Sequence, residues 1–482
     1  MQKISLVIIT LFCTLMVNTE FGVILYTYGH NVAPKYFIKN GEIYGFCNDI
    51  IQELNKELSS SNVSIKYKSK NLVAVKQVFD KLEQDEIQIL VGVGYLEDKE
   101  GKLEYIKFPL YSIREFFTTK KGFEDKIKNA QVVKIGVIAG SVPSRKSSFV
   151  FRGSQIVEFK SSEELLLALE KGAIDVIFWS TLSHGYFSLL HPGKYSGIET
   201  ISEKFYHYVV VNKNLSKSVV EKIYNAVRKL NENGTIENLI RKYKLDQFVL
   251  PGNNVEILFV DWKPYEWYDE KEGKWKGFDV EIVSQVFKNL GFKATFKTLP
   301  WERCLEAMKI RAYDGIMSLR INDERKEYLL FPEEPLSTGI DVLFKLKDRH
   351  IPFEALETIP KDTVCGYSRG YAYGDWFWNA PFVKEPVDDD VTGFRLLKRG
   401  RLDLFVCNLV VGKSLIKDLG MEKEVVYSKN FSGKMIYYIA FSKNFHGNHL
   451  VNIFSQELKK FKKTDAYKQI LSRYGLKYED LW

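Results

Sequence analysis

The chain repeats itself, and this internal duplication constrains its fold more than any other feature. Residues 41–46 and 273–278 both read Gly-x-x-x-Gly-Phe, and each segment precedes a run of apolar residues at helical spacing. Further along, residues 172–175 and 400–403 both read Gly-x-x-Asp. Each pair is separated by about 230 residues, so each half of the chain is predicted to be one copy of the same structural unit.

The two copies meet near residue 252. Residues 248–254 contain Pro251, Gly252 and two asparagines, a composition typical of a turn or linker. A chain of 482 residues is also too long for a single hydrophobic core. We therefore predict a signal peptide over residues 1–19, a first domain over 20–250 and a second domain over 253–482.

Short strand patterns alternate with helix patterns inside each copy. In the second copy the strand patterns lie at residues 256–260, 294–298, 315–319, 363–367 and 402–407, and the helix patterns at 279–290, 301–309 and 391–398. Such alternation predicts an α/β fold with mostly parallel sheets between helices. Because each copy holds two such blocks, we expect two lobes per copy and a ligand cleft at the strands' carboxyl ends.

The amino terminus resembles an export signal. Lys3 precedes an apolar run over residues 4–17, which is short for a membrane span of about twenty residues. No Ala-x-Ala pattern precedes Glu20, so an uncleaved amino-terminal anchor stays open as an alternative. We expect a periplasmic protein.

Several other functions are disfavoured by the sequence. The net charge of +8 is spread along the chain among acidic residues, unlike the clustered basic surface of a nucleic-acid-binding protein. No nucleophile, dinucleotide or phosphate-loop motif occurs, so we predict no catalytic residues and no cofactor. His446 and His449 lack a third ligand and are interpreted as part of a solvated loop, so no metal site is predicted.

Cysteine spacing leaves two alternatives open. The chain has no Cys-x-x-Cys pair. Cys365 and Cys407 could form a disulfide if they lie on neighbouring strands in an oxidising compartment, or all the cysteines could be buried free thiols.

Both copies resemble the periplasmic solute-binding proteins of ABC transporters, in the family that carries polar amino acids. The second copy carries the resemblance in segments 262–265 (Trp-Lys-Pro-Tyr), 277–281, 314–325, 366–371, 400–403 and 438–443, in the family's order. The resemblance implies two tandem bilobed (Venus-flytrap) domains, each with two mixed, mostly parallel sheets flanked by helices. It also implies extracytoplasmic capture of a small solute and delivery to an ABC transporter permease or another membrane partner.

The resemblance assigns a ligand site to the second copy. Arg325 is implied to hold a solute carboxylate through its planar fork of donors, and backbone amides near Gly370 and Tyr371 are expected to help if a helix begins there. The predicted ligand-binding residues are Trp262, Tyr265, Ser318, Arg320, Arg325, Gly370, Tyr371 and Asn408.

Two departures from the family pattern alter the predicted ligand. Asn408 stands where the family has an amine-binding acid, and Arg320 stands where it has a small hydroxyl residue. Two arginines without an acid at these positions favour an anionic solute lacking a cationic amine, such as a dicarboxylate, or an acidic amino acid.

The first copy departs further. It has no arginine at the matching position, where Lys102 is the nearest cation, and Ser180 stands in place of the amine-binding acid. Gly140 and Ser141 resemble the loop of the second lobe. The first copy therefore binds a different ligand or serves as a spacer or docking module.

Two competing functions remain beside transport. Tandem modules of this kind also occur as outer parts of bacterial sensor kinases, although no kinase follows Trp482 in this sequence. Some proteins on this fold resemble dehydratases, and that function requires a general acid in the cleft, for which Asp279 and Glu302 are the candidates.

Overall fold

Strands and amphipathic helices alternate through both halves of the chain. The computed structural model describes residues 22–130, 132–141, 153–198, 202–429 and 431–481. The predicted signal peptide, residues 1–19, lies outside the described residues. None of the described helices is long and apolar enough to cross a bilayer.

The first half contributes thirteen of the described strands and seven of the described helices. The strands are β1 (Val23–Thr27), β2 (Phe37–Lys39), β3 (Glu42–Tyr44), β4 (Val63–Tyr67), β5 (Ile89–Gly94), β6 (Leu103–Tyr105), β7 (Tyr111–Lys120), β8 (Lys134–Ile138), β9 (Gln155–Phe159), β10 (Val176–Ser180), β11 (Tyr195–Ile198), β12 (Lys204–Asn212) and β13 (Leu250–Pro251). The helices are α1 (Phe46–Ser59), α2 (Val75–Glu83), α3 (Glu124–Lys128), α4 (Ser162–Glu170), α5 (Thr181–Leu190), α6 (Lys217–Glu232) and α7 (Thr235–Lys242), with a 3₁₀ turn at Glu97–Lys99.

The second half follows a similar order of elements. Its strands are β14 (Asn254–Phe259), β15 (Trp267–Asp269), β16 (Lys274–Lys276), β17 (Lys293–Thr298), β18 (Gly315–Leu319), β19 (Leu329–Leu330), β20 (Ser337–Gly339), β21 (Asp341–Leu346), β22 (Val364–Ser368), β23 (Val383–Val387), β24 (Leu404–Asn408), β25 (Val425–Tyr427) and β26 (Met435–Ser442). Its helices are α8 (Phe278–Asn289), α9 (Trp301–Lys309), α10 (Asp323–Tyr328), α11 (Asp375–Trp378), α12 (Asp390–Lys398), α13 (Leu409–Asp418), α14 (Phe445–Phe461), α15 (Asp465–Arg473) and α16 (Tyr478–Leu481), with a 3₁₀ turn at Leu356–Thr358.

The repeated Gly-Phe segment has the same backbone role in both halves. Gly45 and Gly277 precede α1 and α8 with φ angles of 130° and 126°. A Cβ on Gly277 would lie 2.0 Å from the carbonyl oxygen of Tyr265, and one on Gly45 would lie 2.4 Å from that of Lys35. Only glycine fits both the conformation and the close approach, and this explains why the motif occurs twice.

The second half folds into two lobes, each built on its own sheet. The first lobe has the strand order β17-β14-β18-β26-β19. Strand β14 runs parallel to both β17 and β18, whereas β26 runs antiparallel to β18. The second lobe has the order β23-β22-β24-β21-β25, with β22 parallel to both of its neighbours. The chain crosses between lobes from β20 to β21 and returns from β25 to β26. This arrangement confirms the predicted bilobed α/β fold with mixed sheets.

The lobes of the first half share one continuous sheet instead. Its main path is β5-β12-β7-β10-β8-β9, and β7 and β12 pair with each other and with strands of both lobes. The difference from the second half arises because β7 runs unbroken over ten residues, whereas Ile340 interrupts the equivalent path between β20 and β21.

The two halves pack against each other through aromatic and charged side chains. Phe108 stacks on Phe292 with ring centroids 4.7 Å apart, and Tyr206 lies 4.0 Å from the ring of His446. His446 is 3% exposed in the first turn of α14, which Asn444 caps by accepting a hydrogen bond from the Gly447 amide. The prediction of a solvated loop at His446 was therefore wrong, because capping starts a helix there and the contact between halves buries the ring.

The thiols of Cys365 and Cys407 are both free and buried. The two residues lie on the neighbouring parallel strands β22 and β24, but Cys365 pairs with Leu404, three positions before Cys407. At about 3.3 Å per residue this offset is too long for a disulfide. Of the two alternatives, the structure has the free thiols.

Candidate functional site

A cavity that is open in part to solvent lies between the two lobes of the second half, and the space not filled by atoms there, open solvent included, is about 570 Å³. We call it the second cleft. It is lined by Val260, Trp262, Glu266, Trp301, Met317, Ser318, Leu319, Arg320 and Arg325 from the first lobe, by Asp341, Tyr371, Ala372, Tyr373, Asp390, Cys407 and Asn408 from the second, and by Tyr437 of the return crossover.

Six of the eight residues predicted from sequence line the second cleft: Trp262, Ser318, Arg320, Arg325, Tyr371 and Asn408. Tyr265 lies behind the wall, stacked on Trp262 at 4.6 Å, and its hydroxyl donates to the carbonyl of Thr338 at 2.8 Å. Gly370 also does not line the cleft, and acts through its carbonyl. The eight residues are thus brought together at the lobe junction, and their roles toward a solute stay predictions.

Arg325 lies in the short helix α10 that follows strand β18, with Asn322 capping the helix by accepting from the Arg325 amide at 2.8 Å. The Arg325 side chain is 3% exposed, and its Nη1 and Nη2 donate to the carbonyls of Arg320 and Gly370 at 2.6 and 2.9 Å. Burial lowers the pKa of the guanidinium to about 10. Among the described ion pairs none joins Arg325 to a carboxylate, so its charge is available to an anionic group.

The loop after β22 differs from the expectation. Helix α11 begins at Asp375, not at Gly370, and spans only four residues. The Gly370 carbonyl accepts hydrogen bonds from Arg325 and from Trp301 Nε1, the latter at 2.8 Å. The condition set for an anion site here, a helix that begins near Gly370, is therefore not met. The loop instead joins the two lobes by presenting a carbonyl to donors of the first lobe.

Three buried carboxyl groups, missed in the sequence, line the second cleft: Glu266, Asp341 and Asp390. Arg320 Nη1 lies 3.7 Å from Asp341 Oδ2, and Asp390 accepts hydrogen bonds from Ser368 and, at 3.1 Å, from Trp262 Nε1. An acid was inferred to be absent only at the positions of Arg320 and Asn408, and the cleft holds carboxyls at other positions. Asn408 does lack a carboxylate, but neighbouring elements supply several.

Burial controls the protonation of these acids. It raises the pKa of Asp341 to about 6 against the lowering effect of Arg320. It also raises the pKa of Asp390 to about 6 against hydrogen bonds from Ser368 and Trp262. Both groups thus change charge near neutral pH, so a solute that brings or removes charge can set their ionisation.

A second pair of acids shares one serine. The Ser318 hydroxyl lies 2.7 Å from Glu266 Oε2 and 2.9 Å from Asp279 Oδ2, and Ser337 donates to the same Asp279 oxygen at 2.7 Å. A hydroxyl has a single hydrogen, so Ser318 can donate to only one carboxyl and must accept from the other. Burial and Asp279 raise the pKa of Glu266 well above its usual range. We therefore assign the shared proton to Glu266, which donates to Ser318.

Replacing Asp279 with asparagine should flatten the pH dependence of stability. Burial raises the pKa of Asp279 to about 7 in the folded chain. A carboxyl with a raised folded pKa is protonated more readily when folded, so the free energy of unfolding falls as pH rises from about 4 to about 7. Thermal melts followed by circular dichroism should show a smaller fall in Tm over this range for Asp279→Asn than for the wild type. The exposed control Asp465→Asn should keep the wild-type slope, and equal slopes for all three proteins would contradict the assignment.

The amide of Asn408 is occupied within the protein. Its Oδ1 caps α13 by accepting from the amides of Val410 and Val411, and its Nδ2 donates to the hydroxyls of Tyr437 and Tyr265 at 3.1 and 3.4 Å. Both amide hydrogens and the oxygen thus have partners. The side chain fixes the position of the cleft wall, and a direct contact with solute stays a prediction.

A second cavity lies between the lobes of the first half, and we call it the first cleft; the space not filled by atoms there, open solvent included, is about 680 Å³. Ser180, Gly140 and Ser141 line it, at the positions that the resemblance indicated. Lys102 is exposed in a turn and does not line the cavity. The suggestion of Lys102 as its cation was therefore wrong, and Lys35 lines the cleft instead.

Comparison with known proteins matches both halves to one family. The family model for bacterial extracellular solute-binding proteins, family 3, matches residues 24–246 and 258–477. The L-cystine-binding protein TcyJ of Escherichia coli strain K12 is 29% identical over 149 residues, which are 30% of this chain and 55% of that protein. The arginine-binding periplasmic protein of Mannheimia haemolytica is 22% identical over 234 residues, 46% of this chain and 91% of that protein.

An enzyme is also among the relatives. Cyclohexadienyl dehydratase of Pseudomonas aeruginosa is 26% identical over 154 residues, 31% of this chain and 57% of that protein. The alignments span about half the length of the first curated relatives, at 55% and 52% of the cystine-binding proteins of Escherichia coli and Bacillus subtilis. The relatives are thus mostly binding proteins, each matched to part of the chain.

Proposed function

The chain belongs to the family 3 bacterial extracellular solute-binding proteins, and we propose that its second half captures a small zwitterionic solute, such as an amino acid, in the second cleft. One observation carries the proposal. The buried guanidinium of Arg325 and the buried carboxyls of Asp341 and Asp390 line the same cavity from opposite lobes. A solute with a carboxylate and an ammonium group satisfies both kinds of side chain.

The lobe junction supports a closing mechanism. Arg325 donates to Gly370, and Trp262 donates to Asp390, so hydrogen bonds of the cleft wall cross from one lobe to the other. The only chain connections between these lobes among the described residues are the crossovers β20–β21 and β25–β26. Solute contacts to both lobes shift an open–closed equilibrium toward the closed form. We propose that an ABC transporter permease recognises that form outside the cytoplasm.

Calorimetric titration of the protein with the standard L-amino acids and L-cystine tests the proposal. We expect one or a few to bind, and we expect the des-amino and carboxamide analogues of the best ligand to bind at least about tenfold more weakly, because each leaves a buried charged group unpaired. A des-amino analogue that binds as tightly as its parent would contradict a zwitterion site and would favour a purely anionic solute.

Proton release provides an independent prediction. An ammonium group beside Asp341 and Asp390 lowers the pKa values of these carboxyls, which burial raises to about 6 in the unliganded cleft. Binding near pH 6 should therefore release protons. Titrations in buffers of different ionisation enthalpy measure this quantity directly. Proton uptake instead of release would show that the solute brings negative charge to these acids.

A dehydratase activity is the second candidate function, and the buried carboxyls of Asp341 and Asp390 in the cleft wall favour it. A carboxyl with a pKa of about 6, as in Asp341 and Asp390, can donate a proton to a leaving hydroxyl near neutral pH. Of the acids suggested from sequence, Asp279 is fully buried behind Ser318 and Glu302 is exposed outside the cleft lining. Proton NMR of each bound carboxylate incubated with the protein detects water elimination, and an unchanged spectrum excludes it for that compound.

A further inference from the structure

The first cleft has walls of a different character from the second. Most of its lining residues are apolar, and the larger ones are Phe79, Leu96, Ile113, Ile138, Trp179 and Phe205. Both lobes contribute to this wall, since Phe79 belongs to α2 and Trp179 to β10. The cavity can therefore hold the apolar body of a small molecule.

One ammonium group lies in this apolar surround. Lys35 is 9% exposed and lines the first cleft, and its Nζ donates to the carbonyl of Gly92 at 3.0 Å and to His207 Nε2 at 2.9 Å. An ammonium carries three hydrogens, so these two contacts leave one hydrogen for another acceptor. Burial lowers the pKa of Lys35 to about 8, so the group is mainly protonated at neutral pH.

No described lining residue of the first cleft balances that charge. The described lining contains no Asp, Glu or Arg, and no described carboxylate pairs with Lys35. Burial and the nearby Lys35 lower the pKa values of His30 and His207 well below their usual range, so both rings are neutral. Burial raises the pKa of the neighbouring Cys47 to about 11, so its thiol is also neutral.

Buried polar atoms at the same place also lack partners. His30 is 2% exposed, and neither of its ring nitrogens makes a hydrogen bond of good geometry with a described residue, although the ring lies close enough to the Gly92 backbone for a weak contact. His207 Nδ1, in a side chain that is 4% exposed, also makes no hydrogen bond with a described residue. Unpaired buried polar atoms are costly and rare in folded proteins. Together with the uncompensated charge of Lys35, they form a polar surface that can pair with an anionic group.

We propose that the first cleft binds a monocarboxylate with an apolar body, whose carboxylate pairs with Lys35 beside His30 and His207 and whose body packs on the apolar wall.

The corresponding strand pairings show how the two clefts diverged. Tyr111 pairs with His207 where Ser337 pairs with Tyr437 in the second half. The first cleft has one cation and no described acid, whereas the second has two arginines and three acids, so the two halves take different solutes.

Calorimetry on the whole protein at neutral pH with three matched probes tests this site. Benzoate, benzamide and benzylammonium share the ring and differ in charge. We expect benzoate to bind and the other two to bind at least about tenfold more weakly, since only benzoate pairs with the buried ammonium. Butyrate, an aliphatic monocarboxylate, tests whether the ring matters. Equal affinities for benzoate and benzamide, or no binding of benzoate and butyrate up to about 10 mM, would overturn the proposal.

Variants then locate the binding. Lys35→Met should abolish benzoate binding with only a small change in Tm, because methionine fills a similar volume, and removal of an uncompensated buried charge offsets the loss of the hydrogen bonds to Gly92 and His207. The control Lys39→Met removes an exposed lysine of the same half and should leave the affinity unchanged. Arg325→Met, in the second cleft, should also leave benzoate binding unchanged. Wild-type affinity in Lys35→Met, or loss of benzoate binding in Arg325→Met, would assign the carboxylate to another site.

Discussion

Replacing Arg325 with methionine is expected to weaken binding of the best amino-acid ligand by roughly thirtyfold to several thousandfold, or about 2–5 kcal/mol. The side chain is 3% exposed and lines the cleft, so a solute carboxylate bound there is removed from water. Losing the guanidinium leaves that carboxylate without its charge partner, and this cost sets the size of the effect. Calorimetric titration of the variant and the wild type gives the ratio of dissociation constants.

The stability of this variant separates binding from folding. Arg325 has no described carboxylate partner. The substitution removes two hydrogen bonds to carbonyls, which destabilises the folded state, but it also removes the cost of burying the charge, which stabilises that state. We expect a small change in Tm. The matched control Arg303→Met removes an exposed arginine of the neighbouring helix α9 and should bind as the wild type does. An Arg325→Met protein with wild-type affinity would exclude Arg325 as the carboxylate partner.

The second large effect concerns the contact between the two halves. Lys204, at the start of β12, is 2% exposed and lies 2.7 Å from Asp314 and 3.1 Å from Glu256 of the second half. Substituting Lys204 with methionine leaves the buried carboxylate of Asp314 without this cation, which typically costs about 3–5 kcal/mol. Urea unfolding followed by circular dichroism should show a clear shift of the midpoint to lower urea.

The control for this experiment is an exposed ion pair in the first half. Lys242 lies 2.8 Å from Asp49, and its side chain is 64% exposed. Exposed pairs contribute at most about 1 kcal/mol, so Lys242→Met should hardly move the midpoint. Equal effects of Lys204→Met and Lys242→Met would mean that the contact between the halves is screened by water and holds them together only weakly.

Local patterns in the sequence were sufficient to predict much of the fold. The predicted strand at residues 315–319 and helix at 301–309 coincide with β18 and α9, and the helix predicted at 279–290 differs from α8 by one residue at each end. These elements are set by local apolar spacing and by short motifs, and both occur twice in the chain. The shared sheet of the first half was missed, because strand pairing between lobes depends on residues far apart in sequence.

The charge of the clefts was harder to predict for the same reason. Asp341 starts a crossover strand, Asp390 starts helix α12, and Glu266 follows the Trp-Lys-Pro-Tyr segment, so no common motif joins them. They meet only after two lobes close around one cavity. A comparison of the two copies could have pointed to charged residues in the clefts. Pro264 in the second copy and Pro34 in the first are each followed, within two residues, by a charged residue of the cleft, Glu266 and Lys35 respectively.

The buried cores of the two halves differ at two positions that contact each other, so that a change at one accompanies a change at the other. Ser318 has a φ of 58° and contacts Asp279, while its counterpart in the first half is Gly92, with a φ of 78°. A Cβ on Gly92 would lie 2.3 Å from the sulfur of Cys47, which follows the repeated Gly-Phe segment as Asp279 does. The sulfur thus fills the space that the serine side chain needs in the second half. The carboxylate–serine cluster and the glycine–cysteine pair are alternative packings of one backbone.

A crystal structure of the protein with its best-binding amino acid would show where the solute binds and which side chains hold it. We expect the solute in the second cleft, with its carboxylate at hydrogen-bond distance from Arg325, about 2.7–2.9 Å, and its ammonium beside Asp341 or Asp390. A solute bound on an outer surface, or in the cleft with its carboxylate turned away from Arg325, would contradict this expectation.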